Sequence, residues 1–228
     1  MRIVHFDKTD STNLYAKAQR ANGEDLIVTA KIQTGGMGTK GRSFASDEGG
    51  VYLTKLTFYE DFHAAEAFKI MESASVAVCK TLERFGLSPC IKWPNDVYVS
   101  DRKICGILTE NTFSGAYVAN SVVGIGVNVN NELPKELSET AVSMKKAAGH
   151  TFDRELVEKV LIEELQKDAP TEEYLARIGY MNRTVVLLFG DERIPAYTLG
   201  VDESGGLLVE IDGKKRRVTS GEVSLRLC

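Results

Sequence analysis

The chain has 228 residues, 43% hydrophobic and 26% charged, an ordinary globular composition that excludes collagenous, fibrous and disordered proteins. Its 28 Lys and Arg against 32 Asp and Glu give a formal net charge of −4, so charge creates no general attraction to nucleic acid or to an anionic membrane. The four cysteines show no Cys-x-x-Cys spacing, which favours free thiols over disulfides or zinc. With no signal peptide and no long apolar run, we expect a cytoplasmic protein without a membrane partner.

The first 180 residues predict a mixture of helices and strands. Asp10 to Asn13 are residue types that cap helices, and Gly23 is well placed to end the helix that follows. Apolar residues at helical spacing predict a long helix over 64–85. The other predicted elements are strands at 26–32, 51–58, 91–93, 97–99, 104–109 and 117–129, and helices at 153–166, capped by Thr151, and at 172–177. Helices mixed with hairpin-linked strands indicate an α+β fold.

The last 47 or so residues change character. Strand-like runs at 184–189, 194–201, 207–211 and 214–219 are separated by short turns, and Asp212-Gly213 is a strong hairpin signal. This pattern predicts a small β-barrel of the SH3 kind over 180–228, following a larger domain over 1–179. Within it, the four cations of 214–217 favour a solvated edge strand over a nucleic-acid site.

A glycine-rich loop over 33–42 contains four glycines and the two cations Lys40 and Arg42. Successive glycines let backbone N–H groups converge on an anion. It is not a P-loop, because Gly41 is followed by Arg42-Ser43 instead of Lys-Ser or Lys-Thr. A plain surface loop is the alternative interpretation.

The segment Lys92-Trp93-Pro94-Asn95-Asp96 puts a cation, an aromatic ring and an Asn-Asp turn within five residues. Lys103 follows and opens the next strand. If the two strands form a hairpin, Lys103 and Gly106 lie near Asn95 and Asp96. The alternative is an ordinary turn with an exposed lysine and a packed tryptophan.

The strand over 122–130 has two unlike faces. Because side chains alternate, Gly124, Gly126 and Asn128 share one face, while valines and an isoleucine form the other. The aliphatic face belongs in the core. The bare face allows a flat ligand to lie against the backbone, or alternatively a helix to cross close to the strand.

Together these segments resemble the biotin protein ligases, in the family's order and over nearly the whole chain. The matching stretches are Asp10-Ser11-Thr12-Asn13, Gln33-Thr34-Gly35-Gly36, Gly38, Gly41-Arg42, Lys92-Trp93-Pro94-Asn95-Asp96, Arg102-Lys103-x-x-Gly106-Ile107-Leu108-x-Glu110, Gly124-x-Gly126-x-Asn128, a stretch from Leu133-Pro134 to Ser143, and Gly221-Glu222-Val223-Ser224-Leu225-Arg226. The Lys-Trp-Pro-Asn-Asp segment followed by Arg-Lys is the most specific of them.

The resemblance implies a catalytic domain like those of class II synthetases and a two-step acyl transfer. Biotin and ATP, with Mg²⁺, give biotinyl-AMP and pyrophosphate, and a lysine of a biotin carboxyl carrier protein or domain then takes the biotinyl group. Both reactants of the first step are anions, so cations are needed at the site.

The resemblance also assigns residues to roles. Biotin would be held by Ser11, Thr12, Asn13, Gln33, Gly36, Met37, Gly38, Thr39, Lys103, Gly106, Gly124 and Gly126. ATP would be held by Gly38, Thr39, Lys40, Arg42, Lys92, Trp93, Asn95, Asn128 and Arg226. Catalysis would fall to Lys103, Arg42, Lys40 and Asp96, with Asp96 also binding Mg²⁺.

The loop departs from the family's usual pattern. Met37 and Thr39 stand where relatives usually have arginines, and Phe44 stands where they have tryptophan. The change at Thr39 predicts weaker retention of biotinyl-AMP. The catalytic match begins within the first dozen residues, so no DNA-binding role is expected.

Two other functions stay open at this point: a lipoate or octanoate ligase, and a non-catalytic biotin-binding sensor. A homodimer formed through a sheet edge is possible, and nothing in the sequence decides it.

Overall fold

The computed structural model describes residues 1–220 and 224–227, with Lys40 and residues 224–227 described by their backbone alone. Two sheets organise the chain. The larger has seven strands, whose bounds are β1 Arg2–Thr9, β2 Leu26–Gln33, β3 Val51–Phe58, β4 Cys90–Lys92, β5 Asp96–Val99, β6 Arg102–Ser114 and β7 Tyr117–Val127. Their order is β1-β2-β3-β7-β6-β5-β4. Only the β1–β2 pair among these is parallel.

The described part of the chain also contains five α-helices. Their bounds are α1 Thr12–Ala18, α2 Phe68–Arg84, α3 Met144–Ala148, α4 Arg154–Glu164 and α5 Thr171–Ala176. Helix α2 packs against α4 and α5 and closes the main core. Helix α1 lies on the opposite face, where Ala16 packs with Leu26, Val28, Leu56 and Val122. Because alternate residues of a strand point to opposite faces, the even-numbered residues of β3 and β7 face α1.

The smaller sheet follows at the carboxyl end. Its strands are β8 Thr184–Phe189, β9 Glu192–Val201, β10 Leu207–Ile211, β11 Lys214–Val218 and β12 Ser224–Leu227, in the antiparallel order β11-β10-β9-β8-β12. Val185 and Leu187 of β8 belong to the same buried cluster as α2 and the large sheet. The predicted α+β class with a small SH3-like sheet is therefore confirmed.

Some predicted boundaries were wrong. Helix α4 is capped by Asp153, whose carboxylate accepts from two backbone N–H groups, and not by Thr151. Helix α1 ends at Ala18, and Gly23 instead ends the short 3-10 turn that follows it. Strand β1 was not predicted, because most of its side chains are exposed and it has no apolar run. Helix α3 is too short to produce a helical pattern.

Two expectations from composition can be compared with the described residues. Cys79, Cys90 and Cys105 are free thiols, as the cysteine spacing predicted. No helix in the described part of the chain is long and apolar enough to cross a membrane.

Candidate active site

A pocket with a cavity volume of about 40 Å³ opens on the α1 face of the large sheet. It is lined by Ser11, Thr12, Asn13, Gln33, Met37, Gly38, Thr39, Phe44, Lys103, Gly106, Ile107, Leu108, Gly124, Ile125 and Gly126. Eleven of these fifteen are among the twelve residues assigned to biotin from the sequence, and Gly36 is the one of the twelve that does not line the pocket.

The closed end of the pocket is polar and buried. Ser11, Thr12 and Asn13 are only 2%, 3% and 6% exposed. Ser11 is the N-cap of α1, so the helix start holds the next two side chains against the sheet. The backbone N–H and hydroxyl of Thr12 both donate to Oε1 of Gln33, at 2.9 and 3.0 Å.

Further polar residues extend this network behind the pocket wall. The hydroxyl of Thr54 lies 2.6 Å from Oδ1 of Asn13 and 2.8 Å from Oγ1 of Thr12. The amide of Asn13 donates to Glu110, whose other oxygen lies 2.5 Å from Nζ of Lys17. These contacts orient the Asn13 amide, with its oxygen toward Thr54 and its nitrogen toward Glu110.

Thr54 had no role in the sequence-based assignment. The one signal was its place on the even-numbered face of a predicted strand. Ser46 was likewise missed: its hydroxyl accepts from Nε2 of Gln33 at 2.9 Å and donates to the carbonyl of Phe44 at 3.0 Å. The amide of Gln33 is thus oriented at both of its ends.

The glycine face of β7 receives side chains from two other segments. A Cβ on Gly124 would lie 2.1 Å from Oδ1 of Asn13, and one on Gly126 would lie 2.4 Å from the ring of Phe44. The ring of Phe44 also lies over Gly106. The sequence left open whether these glycines allow a helix to cross close to the strand or form an open pocket wall. Gly124 allows the close approach of Asn13 at the start of α1, and Gly126 lines the pocket beneath the ring of Phe44.

Lys103 lies at the other end of the pocket. Strands β5 and β6 pair antiparallel with Asp96 opposite Gly106, and Nζ of Lys103 is 2.6 Å from Oδ1 of Asp96. The side-chain amide of Asn95 donates to the Ile107 carbonyl at 2.6 Å. The expected proximity of Lys103 and Gly106 to the Asn95-Asp96 turn is confirmed.

The glycine-rich loop folds back over the pocket as a short hairpin. The amide of Gly38 donates to the Arg42 carbonyl at 2.7 Å, and Met37 pairs with Ser43. The exposed guanidinium of Arg42 donates to the hydroxyl of Thr39 at 3.1 Å. The assignment of Lys40 rests on a side chain that lies outside the described residues.

Trp93, Asn128 and Lys92, also assigned to ATP, do not line the pocket. Trp93 is 4% exposed and packed in the core. Asn128 is buried, with its side-chain oxygen accepting from Asn131 at 3.1 Å. Lys92 places Nζ 5.0 Å from the centre of the Tyr98 ring, and burial raises the pKa of that tyrosine to about 12. The side chain of Arg226 lies outside the described residues.

Known proteins similar to this chain are biotin protein ligases, and the similarity extends over nearly the whole chain. The family model described as "Biotin/lipoate A/B protein ligase family" matches residues 5–128, and one described as "Biotin protein ligase C terminal domain" matches residues 180–226. The bifunctional ligase/repressor BirA of Bacillus subtilis is 30% identical over 98% of this chain and 74% of its own. The biotin–[acetyl-CoA-carboxylase] ligase of Paracoccus denitrificans is 28% identical over 95% of this chain and 97% of its own.

Solved structures agree with these sequence relatives. The biotin protein ligase of Aquifex aeolicus, solved in complex with biotin and ATP, superposes with a TM-score of 0.76 at 28% identity, covering 99% of this chain and 98% of that one. The first family model covers most of the large sheet, and the second covers the small sheet. The chain therefore belongs to the biotin/lipoate A/B protein ligase family and, within it, to the biotin protein ligases.

Proposed function

We propose that this protein activates biotin with ATP and transfers it to a lysine of a carrier protein. The observation that carries the proposal is the pocket: a buried polar end opposite a lysine, joined by a wall of glycines. Biotin has the matching form, with a hydrogen-bonding ureido ring at one end and a carboxylate at the other.

The polar end favours biotin over the family's other substrate class. Lipoate ends in a dithiolane ring and octanoate in a methyl group, and neither can satisfy buried hydroxyls and amides. Either acid would leave Ser11 and Asn13 without ligand partners in a buried part of the site. A site built to hydrogen-bond its substrate rejects analogues that lack those groups by ~10⁴-fold or more.

In the first step, an oxygen of the biotin carboxylate attacks the α-phosphorus of ATP, and the bond to pyrophosphate breaks. Lys103 supports this step because its ammonium, beside the pocket, offsets the repulsion between two anions and stabilises the charge of the transition state. We assign Arg42 and Lys40 the same electrostatic role. Glycine-rich backbone at 36–38 supports close approach of the acyl-phosphate.

The site is suited to ATP with Mg²⁺. Magnesium usually keeps several waters and takes only one or two protein carboxylates together with substrate phosphates. Asp96, with a quarter of its side chain exposed beside Lys103, has the chemistry for that ligand. When bound, the ion would neutralise phosphate charge. We propose Lys92, Asn95, Asn128 and Arg226 as the further ATP residues, with the buried Trp93 supporting them from behind.

In the second step, the neutral ε-amine of the acceptor lysine attacks the biotinyl carbonyl, AMP leaves, and an amide forms. This step requires positioning of the acceptor and no covalent enzyme intermediate. We propose a biotin carboxyl carrier domain as the acceptor, since relatives are named as ligases for acetyl-CoA carboxylase. The proposal includes a cytoplasmic location, division into domains at Tyr180, and neither DNA nor membrane as a partner.

The test is pyrophosphate release with biotin, ATP and Mg²⁺, with and without an acceptor domain, and with lipoate and octanoate as matched acids. We expect biotin-dependent release and a biotin-sized mass gain on one acceptor lysine. Binding of biotin without release would make the protein a sensor. Release with lipoate in place of biotin would overturn the substrate assignment.

A further inference from the structure

A tight turn in the small sheet, at residues 202–206, contacts the larger domain. Its conformation is held by Asp202: one carboxylate oxygen accepts from the amides of Ser204 and Gly206 at 3.0 and 2.9 Å. The other accepts from Nε of Arg217 at 2.5 Å. Arg217 belongs to the basic run 214–217, so one member of that run fixes a turn and does not simply face solvent.

This turn presents a backbone carbonyl to the only tryptophan of the chain. Nε1 of Trp93 donates to the Gly205 carbonyl at 3.0 Å. Gly205 has a φ of +84°, and a Cβ there would lie 2.3 Å from the Phe68 ring at the start of α2. Only glycine therefore allows the carbonyl to approach the indole from this direction.

Trp93 and the residue after it are held at two more points. The amide of Trp93 donates to the hydroxyl of Tyr180 at 2.5 Å, and the hydroxyl of Tyr174 donates to the Pro94 carbonyl at 3.0 Å. The chain then passes directly to Asn95 and Asp96. The segment that brings Asp96 to Lys103 is thus fixed from behind by residues outside the pocket.

We propose that the turn at 202–206 is a positioning element for the reaction: the Gly205 carbonyl fixes the indole of Trp93 and so holds Asn95 and Asp96 in place for the nucleotide. Asp202 and Trp93 are positioning residues in this sense. The inference rests on the proposed function only where it predicts a change in the KM for ATP. The contact at 11–13 with Gln33 and Thr54 shares no hydrogen bond with this turn, so the turn acts on biotin only through Lys103, and the loss of biotin affinity should be smaller than the effect on ATP.

The experiment combines two variants with a spectroscopic measurement. Asp202→Ala removes the acceptors that hold the turn, and Trp93→Phe keeps an aromatic ring but removes the N–H group. We expect each to raise the KM for ATP about tenfold, the usual scale for losing a buried hydrogen bond. Because both variants break the same contact, the double variant should be no worse than either single variant.

Intrinsic fluorescence provides a readout that needs no turnover. Trp93 is the only tryptophan in the sequence. Its emission should therefore move to longer wavelength in Asp202→Ala, because water replaces the Gly205 carbonyl at its N–H. Asp202→Asn, which retains an acceptor for the two amides, should restore most of the wild-type emission and KM. Asp191→Ala, in the exposed turn between β8 and β9, is the matched control and should resemble wild type.

The outcomes separate the two proposals. Absence of biotin-dependent pyrophosphate release in the wild type would refute the proposed function. Unchanged emission in Asp202→Ala, KM effects that multiply in the double variant, or an equal loss of biotin affinity would each refute the positioning role.

Discussion

The ammonium nitrogen of Lys103 lies 2.6 Å from Oδ1 of Asp96, and the two side chains are 31% and 25% exposed. Their pairing follows from the β5–β6 hairpin, which sets the Asp96 position opposite Gly106 at the pocket. Asp96 holds the lysine at the pocket end, so substrate anions meet a cation whose direction is already set. An ion pair this exposed contributes only about 0–1 kcal/mol to folding stability.

We expect Lys103→Ala to slow biotin adenylation by roughly 10²–10³-fold, the scale for removing an electrostatic stabiliser of a transition state. The melting temperature should hardly change. Pyrophosphate release under single-turnover conditions, with thermal unfolding alongside, measures both. Lys31→Ala removes a comparable surface pair with Asp7 at 2.8 Å and is the control. Adenylation at a near-normal rate would show that Lys103 is wrongly assigned.

Thr54→Val tests the polar network behind the pocket. Valine keeps the shape of the fully buried threonine but leaves Oδ1 of Asn13 without its donor at 2.6 Å. We expect the Kd for biotin to rise about tenfold, because a buried amide that loses its partner costs ~1–3 kcal/mol. Calorimetric titration measures it. Thr57→Val, on the opposite face of β3, is the control, and an equal effect from it would contradict the assignment.

Gly124→Ala tests the close approach of α1 to β7. Its Cβ would lie 2.1 Å from Oδ1 of Asn13, so the asparagine has to move and biotin should bind at least tenfold more weakly, on the ~1–3 kcal/mol scale of overpacking. Gly200→Ala is the matched control, because a Cβ at that position would have no neighbour within 4 Å. Equal biotin affinity in the two variants would refute the role of this contact.

Thr39→Arg tests the retention of the acyl-adenylate. Thr39 lines the pocket and pairs with Arg42, so a second cation here would lie beside the bound phosphate. We expect biotinyl-AMP to dissociate about tenfold more slowly, since charge-assisted hydrogen bonds are worth ~1.5–3 kcal/mol. Thr39→Gln, of similar length without charge, is the control. Equal off-rates in wild type and Thr39→Arg would count against the prediction.

The Asp202 turn predicts a pH dependence of stability. Burial alone would raise the pKa of Asp202, but hydrogen bonds from Arg217, Gly206 and Ser204 outweigh it and lower the pKa from 3.8 to about 2. Because the pKa of Asp202 is lower in the folded state, its carboxylate stabilises the fold at pH values above the pKa of the unfolded chain. This stabilisation is lost as the pH falls from about 4 to about 2. The wild-type advantage over Asp202→Asn in urea unfolding should therefore shrink over that range. A pH-independent difference would contradict this, with Asp191→Asn as the reference.

The sequence predicted what is local and missed what depends on distant pairing. Ser11, Gln33 and Lys103 could be assigned because each lies in a short segment that resembles the biotin protein ligases, and all three line the pocket. Thr54 could not, since its partners Asn13 and Thr12 lie 41 and 42 residues away and are reached only through sheet register. A lone threonine in an apolar strand carries no sign of such partners.

The same reasoning explains the basic run and the tryptophan. Cations on a predicted edge strand indicate exposure to solvent, and all four residues of 214–217 are exposed. Arg217 differs because a turn 13 to 15 residues earlier places Asp202 and Ser204 beside it. The contact of Trp93 with Gly205 joins residues 112 positions apart, on the large and the small sheet side, which no local pattern can indicate.

The pocket is assembled from four separate parts of the large sheet: the β1–α1 junction, the segment after β2, strand β6 and strand β7. None of these parts encloses the pocket by itself, so unfolding of any one of them removes the binding site. Ligand binding is consequently linked to folding of the whole domain: at a biotin concentration 100 times its Kd, the folded state gains ~2.7 kcal/mol. Amide protons across the central strands should then exchange with solvent more slowly, including those far from the ligand, so that substrate supply itself sets how long the protein survives proteolysis.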